Sequence, residues 1–215
     1  KAVNWDPAKN ELTLENPLPS GINLPSAIEL LSGWEAPILG MRLILSRNGE
    51  NWMNGKAEMR LATTRCTNAL LEEKGTAPVL FTTVGFGDLL EIGDQRRTEL
   101  FDLVPRKRKN LAGQVVEVQE RVDRYGKILV SPDYEKISEI AAQLVERGNK
   151  SAVVSFLHAA KNTEHETQVA KVLSDAGFQK VIISSSISNF PKWLPRLESA
   201  VVEAYLSDVL DQYLD

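Results

Sequence analysis

The spacing of apolar residues changes along the chain, and the clearest pattern lies in its second half. In "SPDYEKISEIAAQLVERGN" the residues Ile137, Ile140, Ala141, Leu144 and Val145 recur every three or four positions, which predicts an amphipathic helix. Ser131 is expected to cap it, with Pro132 at the first helical position, where a missing N–H costs nothing, and Gly148 to stop it. "SAVVSFLH" is a continuous apolar run and predicts a buried strand. "NTEHETQVAKVLSDAGF" returns to helical spacing, with Val169, Val172, Leu173 and Ala176 inward. "KVIISSS" is a further strand, and a long helix is expected from about Pro195 to Leu214, with Leu197, Val201, Ala204 and Val209 among its apolar positions. Helices and strands that alternate through short connections imply parallel strands joined by crossovers, so the fold class is α/β.

The first half is less regular and predicts a mixed sheet. "NELTLENPL" alternates loosely, as an edge strand does. "SAIELLSGW" fits a short helix capped by Ser26 and ended by Gly33, and "MRLILS" reads as a strand followed by the turn "RNGENWMNGK". A helix is expected from about Thr64 to Lys74, ended by Gly75, and then a buried strand in "APVLFTT". "VGFGDLLEIG" reads as a glycine turn and a short helix, and 94–110 as a charged loop. "QVVEVQERV" and "KILVSP" predict two strands around the turn "DRYG". The expected organisation is an irregular lead-in over 1–60, a mixed α/β segment over 61–130 and a regular α/β segment over 131–215.

Composition narrows the functional classes. With 43% hydrophobic and 25% charged residues the chain is an ordinary globular sequence rather than a disordered one. A net charge of −4 gives no electrostatic footprint for nucleic acid or for an anionic membrane, and neither partner is expected. The basic run Arg106–Lys109 is read as a solvated loop or a subunit contact. No apolar run approaches the roughly 18 residues of a membrane span. The single Cys66 excludes an internal disulfide and a cysteine-rich zinc site, and points to a reducing cytoplasm.

Four places carry candidate chemistry. Thr63, Thr64, Thr67 and Asn68 crowd a loop-to-helix junction, where free N–H groups attract phosphate or carboxylate; one of the threonines serving as an N-cap explains the same pattern. Cys66 is either a nucleophile at a helix start or inert packing. "TTVGFGD", from Thr82 to Asp88, ends a strand and turns through two glycines, either to let a ligand approach the backbone or simply to turn. It is not a P-loop, since the Gly-Lys-Ser/Thr ending is missing. His158 ends a strand. His165 sits in "NTEHE", where Thr163 with Glu166 fits a capping box better than a zinc site. Arg96 and Arg97 could each clamp an anion or stand exposed.

The order of these motifs is more specific than any one of them. "ATTRCTNALLEEKGT", "LFTTVGFGDLLEIGDQRR", "ERVDRYGKIL", "AVVSFLHAAKNTEHE", "ISSSIS" and "RLESAVVEAYL" follow one another as in the N-terminal region of the hydantoinase A/5-oxoprolinase family, which the chain resembles from about Leu61 to Leu210. The resemblance implies part of an actin-like ATPase-type architecture and an ATP-dependent hydrolase of a cyclic amide, of the hydantoin or 5-oxoproline class. It implies ATP and Mg2+ as cofactors of the larger protein, and none for this chain alone. It places Thr63, Thr64, Thr67, Asn68, Gly85, Asp88 and Arg97 at a substrate or nucleotide site. It implies a small cyclic-amide substrate, with the remainder of a parent polypeptide or a second hydantoinase-type subunit as partner.

The family's glycine-rich Asp-x-Gly-Gly-Thr-x-Thr-Asp hairpin, which resembles a phosphate-binding hairpin, does not occur here. That gap and the start at Lys1 point to a fragment of a longer protein that is inactive by itself. Ala62 stands where the family has Gly, and Trp193 where it has Glu; the family's Asn-Pro is Asn162-Thr163 here, and the matching Asn favours Asn162 as the cap over Thr163. The alternative reading is a non-catalytic domain for binding or subunit contact.

Overall fold

The computed structural model describes residues 2–6, 11–14, 39–40, 63–95, 110–188 and 191–214. The chain divides into two compact units, Lys1–Leu61 and Ala62–Asp215. In the first, β1 (Ala2–Asp6) and β2 (Glu11–Leu14) form an antiparallel pair, so the loose alternation in "NELTLENPL" does mark a strand. The expected helix at Ser26, the strand "MRLILS", Arg96, Arg97 and the basic run Arg106–Lys109 lie outside the described residues.

The second unit is an α/β layer structure. Its elements are α1 (Arg65–Leu71), β3 (Val79–Thr83), α2 (Leu89–Ile92), β4 (Val115–Val118), β5 (Arg121–Val122), β6 (Ile128–Val130), α3 (Tyr134–Glu146), β7 (Ser151–Ser155), α4 (Glu164–Asp175), β8 (Lys180–Ile183), α5 (Ser184–Ile187) and α6 (Trp193–Leu214). Four strands form one parallel sheet in the order β4-β3-β7-β8, and β5 pairs antiparallel with β6. The first half therefore contributes both strand orientations, and the parallel sheet takes two strands from 61–130 and two from 131–215. Among the described residues no helix is long and apolar enough to cross a membrane.

Both faces of the sheet are covered, which is why its inner strands are apolar without alternation. On one face Val79 and Phe81 of β3 and Ala152 and Val154 of β7 pack with α3 and α4. Phe81 meets Phe178 edge-on, with centroids 6.3 Å apart. On the other face Leu80 and Val153 pack with Leu197, Ala200, Val201 and Ala204 of α6. The apolar stripes read from the sequence are the ones buried: Ile137, Ala141 and Leu144 in α3, Val169 and Leu173 in α4.

Several local signals resolve differently from expectation. The cap of α3 is Asp133, not Ser131: its carboxylate accepts the Lys136 N–H at 3.1 Å, and the helix starts at Tyr134. Gly148 does end α3, at φ +90°, with Gly148 N–H bonded to Val145 O and Asn149 N–H to Leu144 O. The same pair of bonds ends α1, but its left-handed residue is Glu73 (φ 55°) rather than Gly75. "QVVEVQERV" is two strands instead of one, because the chain turns tightly at Gln119–Glu120, where the Glu120 N–H bonds back to Val118 O at 2.9 Å. β4 stays in the parallel sheet and β5 leaves it.

Candidate functional site

The chain visits the strands so that β3 leads on to β4 at one side and β7 leads on to β8 at the other. The carboxyl ends of β3 and β7 thus flank the point where strand order reverses, the position at which open α/β sheets bind ligands. Polar side chains gather there on both faces of the sheet.

On the α4 face the centre is Glu120, whose side chain is fully buried. One carboxylate oxygen accepts the Thr83 hydroxyl, and the other meets His165 Nδ1 at 2.8 Å. Thr83 in turn accepts the Leu157 N–H at 2.9 Å, which joins the ends of β3 and β7. The other ring nitrogen of His165, Nε2, is buried without a partner. Beside it, buried Glu166 accepts the Phe156 N–H at 2.8 Å, the Ser184 hydroxyl at 2.7 Å and the Ser185 N–H at 3.0 Å. Buried Arg196 of α6 donates to Ser184 Oγ at 3.1 Å and to the Phe156 carbonyl at 3.4 Å. Burial pulls the Arg196 guanidinium below its usual range, and the Glu166 carboxylate opposes that shift. Burial, followed by the charges of Glu164 and Glu120, raises the Tyr134 phenol. Two adjacent α4 residues, His165 and Glu166, therefore tie together the ends of β3, β7 and β8 and the turn after β4.

On the α6 face Glu117, Thr82 and Ser155 stand in register on β4, β3 and β7. Glu117 Oε1 accepts both the Gly85 N–H, at 3.0 Å, and the Gly87 N–H, at 2.9 Å. Ser155 Oγ accepts the Trp193 indole N–H at 2.9 Å. Trp193 meets Phe86 edge-on at 4.9 Å, and the Arg121 guanidinium lies 5.6 Å from the Phe86 ring centre. Gly85 (φ +84°) makes the turn that brings Phe86 into this group.

The residues expected at a site fall into two groups. Gly85 and Asp88 lie on the turn after β3, where Asp88 holds the cap position of α2 without a side-chain cap bond. Thr63, Thr64, Thr67 and Asn68 are exposed at the start of α1, which packs against α6. Thr63 Oγ1 accepts the Arg65 N–H at 3.2 Å, while Thr64 makes no side-chain cap bond. Arg97 is outside the described residues. His158 is a left-handed residue in the turn after β7 (φ 61°), and Lys161 N–H bonds to its carbonyl at 2.8 Å. Asn162 Oδ1 accepts the Glu164 N–H at 3.0 Å, so Asn162 provides the cap of α4. The capping box fails: Thr163 makes no cap bond, and Glu166 turns inward to the strand ends.

Glu117, Glu120, Ser184 and Arg196 were not singled out by sequence, and Glu166 was read only as half of a capping box. A signal for two of them exists. Glu120 stands in phase with Val116, Val118 and Val122, and Glu166 in phase with Val169, Ala170 and Leu173. A charged residue on the inward phase of an apolar pattern marks a buried, partnered charge.

ATP and Mg2+ can be tested against this geometry. The Gly85 and Gly87 N–H groups are already taken by a carboxylate, whose charge opposes a phosphate. Among the described residues no group of three His, Cys, Asp or Glu side chains can hold a metal ion. With both N–H groups bonded to Glu117, the glycine turn after β3 does not fit a triphosphate cradle.

The comparisons with known proteins agree with the motif order. Residues 18–177 match the model of the hydantoinase/oxoprolinase N-terminal region. 5-Oxoprolinase 1 of Arabidopsis thaliana is 34% identical over 207 residues, covering 84% of this chain and 16% of that protein. 5-Oxoprolinase of Saccharomyces cerevisiae is 32% identical over 216 residues, covering 84% and 17%. The chain thus spans about a sixth of the length of these relatives. Among solved structures, ATP-dependent caprolactamase from Pseudomonas jessenii superposes with a TM-score of 0.68 at 22% identity, over 85% of this chain and 28% of that one. Nucleotide-free acetone carboxylase does so with a TM-score of 0.65 at 20% identity, over 79% and 26%. Both share the fold.

Proposed function

The chain belongs to the hydantoinase/oxoprolinase family, in its N-terminal region, and on that premise we propose that it is part of an ATP-dependent enzyme that hydrolyses a cyclic amide of the hydantoin or 5-oxoproline class. The observation that carries this reading is the crowding of buried polar groups at the carboxyl ends of β3 and β7 in a chain whose relatives are 5-oxoprolinases. A larger polypeptide, or a second subunit, supplies the nucleotide site, because the glycine turn after β3 does not fit a triphosphate cradle. ATP bound there would supply the activation of the ring carbonyl that an amide lacks.

This chain's own residues act on the ring side of the reaction. The glycine turn, held by Glu117 and carrying Asp88, contributes contacts to the ring. The exposed Thr63, Thr64, Thr67 and Asn68 lie toward the other end of α6, where Arg65 stands over the Tyr213 ring, and serve a separate contact in the larger protein, as does Arg97. The α4 network keeps the strand ends fixed, so that a bound ring keeps one orientation. The test is ATP-dependent ring opening of 5-oxoproline and hydantoin by the full-length polypeptide and by a Thr64→Ala/Asn68→Ala variant. Turnover in the parent with a clear loss in the variant is expected. No turnover of either compound overturns the reaction class, and unchanged turnover in the variant overturns the α1 contacts.

A second reading, a contact domain without chemistry of its own, draws on the β5–β6 hairpin. Tyr125 is 76% exposed, Leu129 56% and Val130 42%, which suits coverage by another part of the larger protein. Protection of these residues from solvent exchange in the full-length polypeptide, without any ring opening, is the result that favours it.

A further inference from the structure

Thr82 is the next-to-last residue of β3 and has no exposed surface, and its hydroxyl has no hydrogen-bond partner. A buried hydroxyl left unpaired costs about 1–3 kcal/mol, and valine would fill the same space without that cost. The explanation lies in its surroundings. In-register side chains on adjacent strands are about 5 Å apart, so Thr82 sits between the Glu117 carboxylate and the Ser155 hydroxyl. Each neighbour anchors one half of an aromatic pair. Ser155 holds the Trp193 indole, and Glu117 holds the turn that carries Phe86. The unpaired hydroxyl therefore has an accept-only group on one side and lies on the strand between the two residues that anchor the rings, at the point where strand order reverses.

We propose that Thr82 and Glu117 form a subsite for an amide group, covered by Trp193 and Phe86 until a ligand displaces them. The Thr82 hydroxyl donates to the amide carbonyl, and the Glu117 carboxylate accepts the amide N–H. The aromatic pair moves aside and then lies along the ring. In naming a ring amide as the ligand, this inference rests on the reading under Proposed function; the unpaired hydroxyl itself does not depend on it.

The experiment uses the full-length polypeptide, with 5-oxoproline and its N-methylated counterpart as probes, calorimetry for binding and Trp fluorescence for displacement of Trp193. Thr82→Val is expected to melt no lower than the parent, since it removes an unpaired polar group, and to bind 5-oxoproline about tenfold more weakly. Thr82→Ser keeps the hydroxyl and is expected to bind within about threefold of the parent. The N-methylated compound, which has no N–H for Glu117, is expected not to compete. Parent-like binding by Thr82→Val, or equal binding of the two compounds, overturns the subsite. Failure of the parent to bind 5-oxoproline overturns its assignment to this ligand. Ring opening that persists while Thr82→Val binds normally sinks this inference alone. Thr82-dependent binding without any ring opening sinks the reaction and leaves the subsite.

Discussion

A Cβ built on Gly75 would lie 2.2 Å from the Tyr205 ring and 2.5 Å from the Tyr205 carbonyl oxygen. The ring can turn away, but the carbonyl belongs to α6 and cannot. Gly75 thus permits close passage of the chain before β3 across α6, where Thr76 N–H bonds to Tyr205 O at 3.0 Å. Gly75→Ala is expected to lower stability by about 2–3 kcal/mol in urea denaturation, and Tyr205→Ala in the same chain to restore only part of it. A melting curve unchanged by Gly75→Ala rules this account out. Glu120 poses the opposite problem, a charge kept inside. Its replacement by Ala strands His165 Nδ1 and the Thr83 hydroxyl in a dry site and is expected to cost about 3–5 kcal/mol, whereas Gln keeps an acceptor and costs less. Equal losses for the two substitutions would show that the volume of the side chain matters more than its oxygens. The inward phase of Glu120 was legible in the sequence. Its partners were not, since His165 lies 45 residues away and Thr83 37.

Helices and strands were readable where one periodic signal dominated, and shifted where several short polar residues competed. Around α3 the stripe Ile137–Ala141–Leu144 identified the helix, but Ser131, Pro132 and Asp133 all suit its start. Only the geometry of the Lys136 N–H selects Asp133. Asn162 over Thr163 was settled in the same way, by one bond to Glu164. The β5–β6 hairpin was legible through "DRYG" because its turn is local. Asp123 Oδ1 accepts the Tyr125 N–H at 2.8 Å and the Lys127 N–H at 2.9 Å. The bond from Lys127, reinforced by that from Tyr125, holds the Asp123 carboxyl below its ordinary range, against a smaller opposing effect of desolvation. A depressed carboxyl pKa stabilises the fold above the unfolded value, and that contribution is lost as the pH falls through the folded value. The hairpin should therefore keep its turn above about pH 5 and lose it progressively below about pH 4. The amide shifts of Tyr125 and Lys127 report this directly. Asp123→Asn, which retains the acceptor oxygen, should flatten both curves, and a midpoint at or above the ordinary aspartate value would contradict the assignment.

At the scale of the molecule, the alternation of helices and strands was enough to predict the α/β class, because crossovers leave few ways to arrange parallel strands. Strand order was not legible, since the fully buried β3 and β7 carry nearly the same apolar pattern and nothing local says which are neighbours. The observed order β4-β3-β7-β8 has an energetic consequence. β3 and β7 pair on both sides and are buried along their whole length, while β4 and β8 pair on one side among the described residues and are only partly buried. The two-stranded β5–β6 sheet has still less to hold it. Opening should follow that gradient, because local stability tracks buried apolar contact and the number of paired edges. In native-state hydrogen exchange the Leu80, Phe81, Val153 and Val154 amides are expected to exchange last and together, near the global unfolding limit. Those of β8 should exchange earlier, and those of β5 and β6 first. A variant that breaks the buried ties at the strand ends, Glu166→Ala, should bring the β7 and β8 rates up together, since that carboxylate bonds the chain after each. If β8 outlasts β7 in the parent, or if Glu166→Ala accelerates β8 alone, then α4 does not bind the two strands into one cooperative unit.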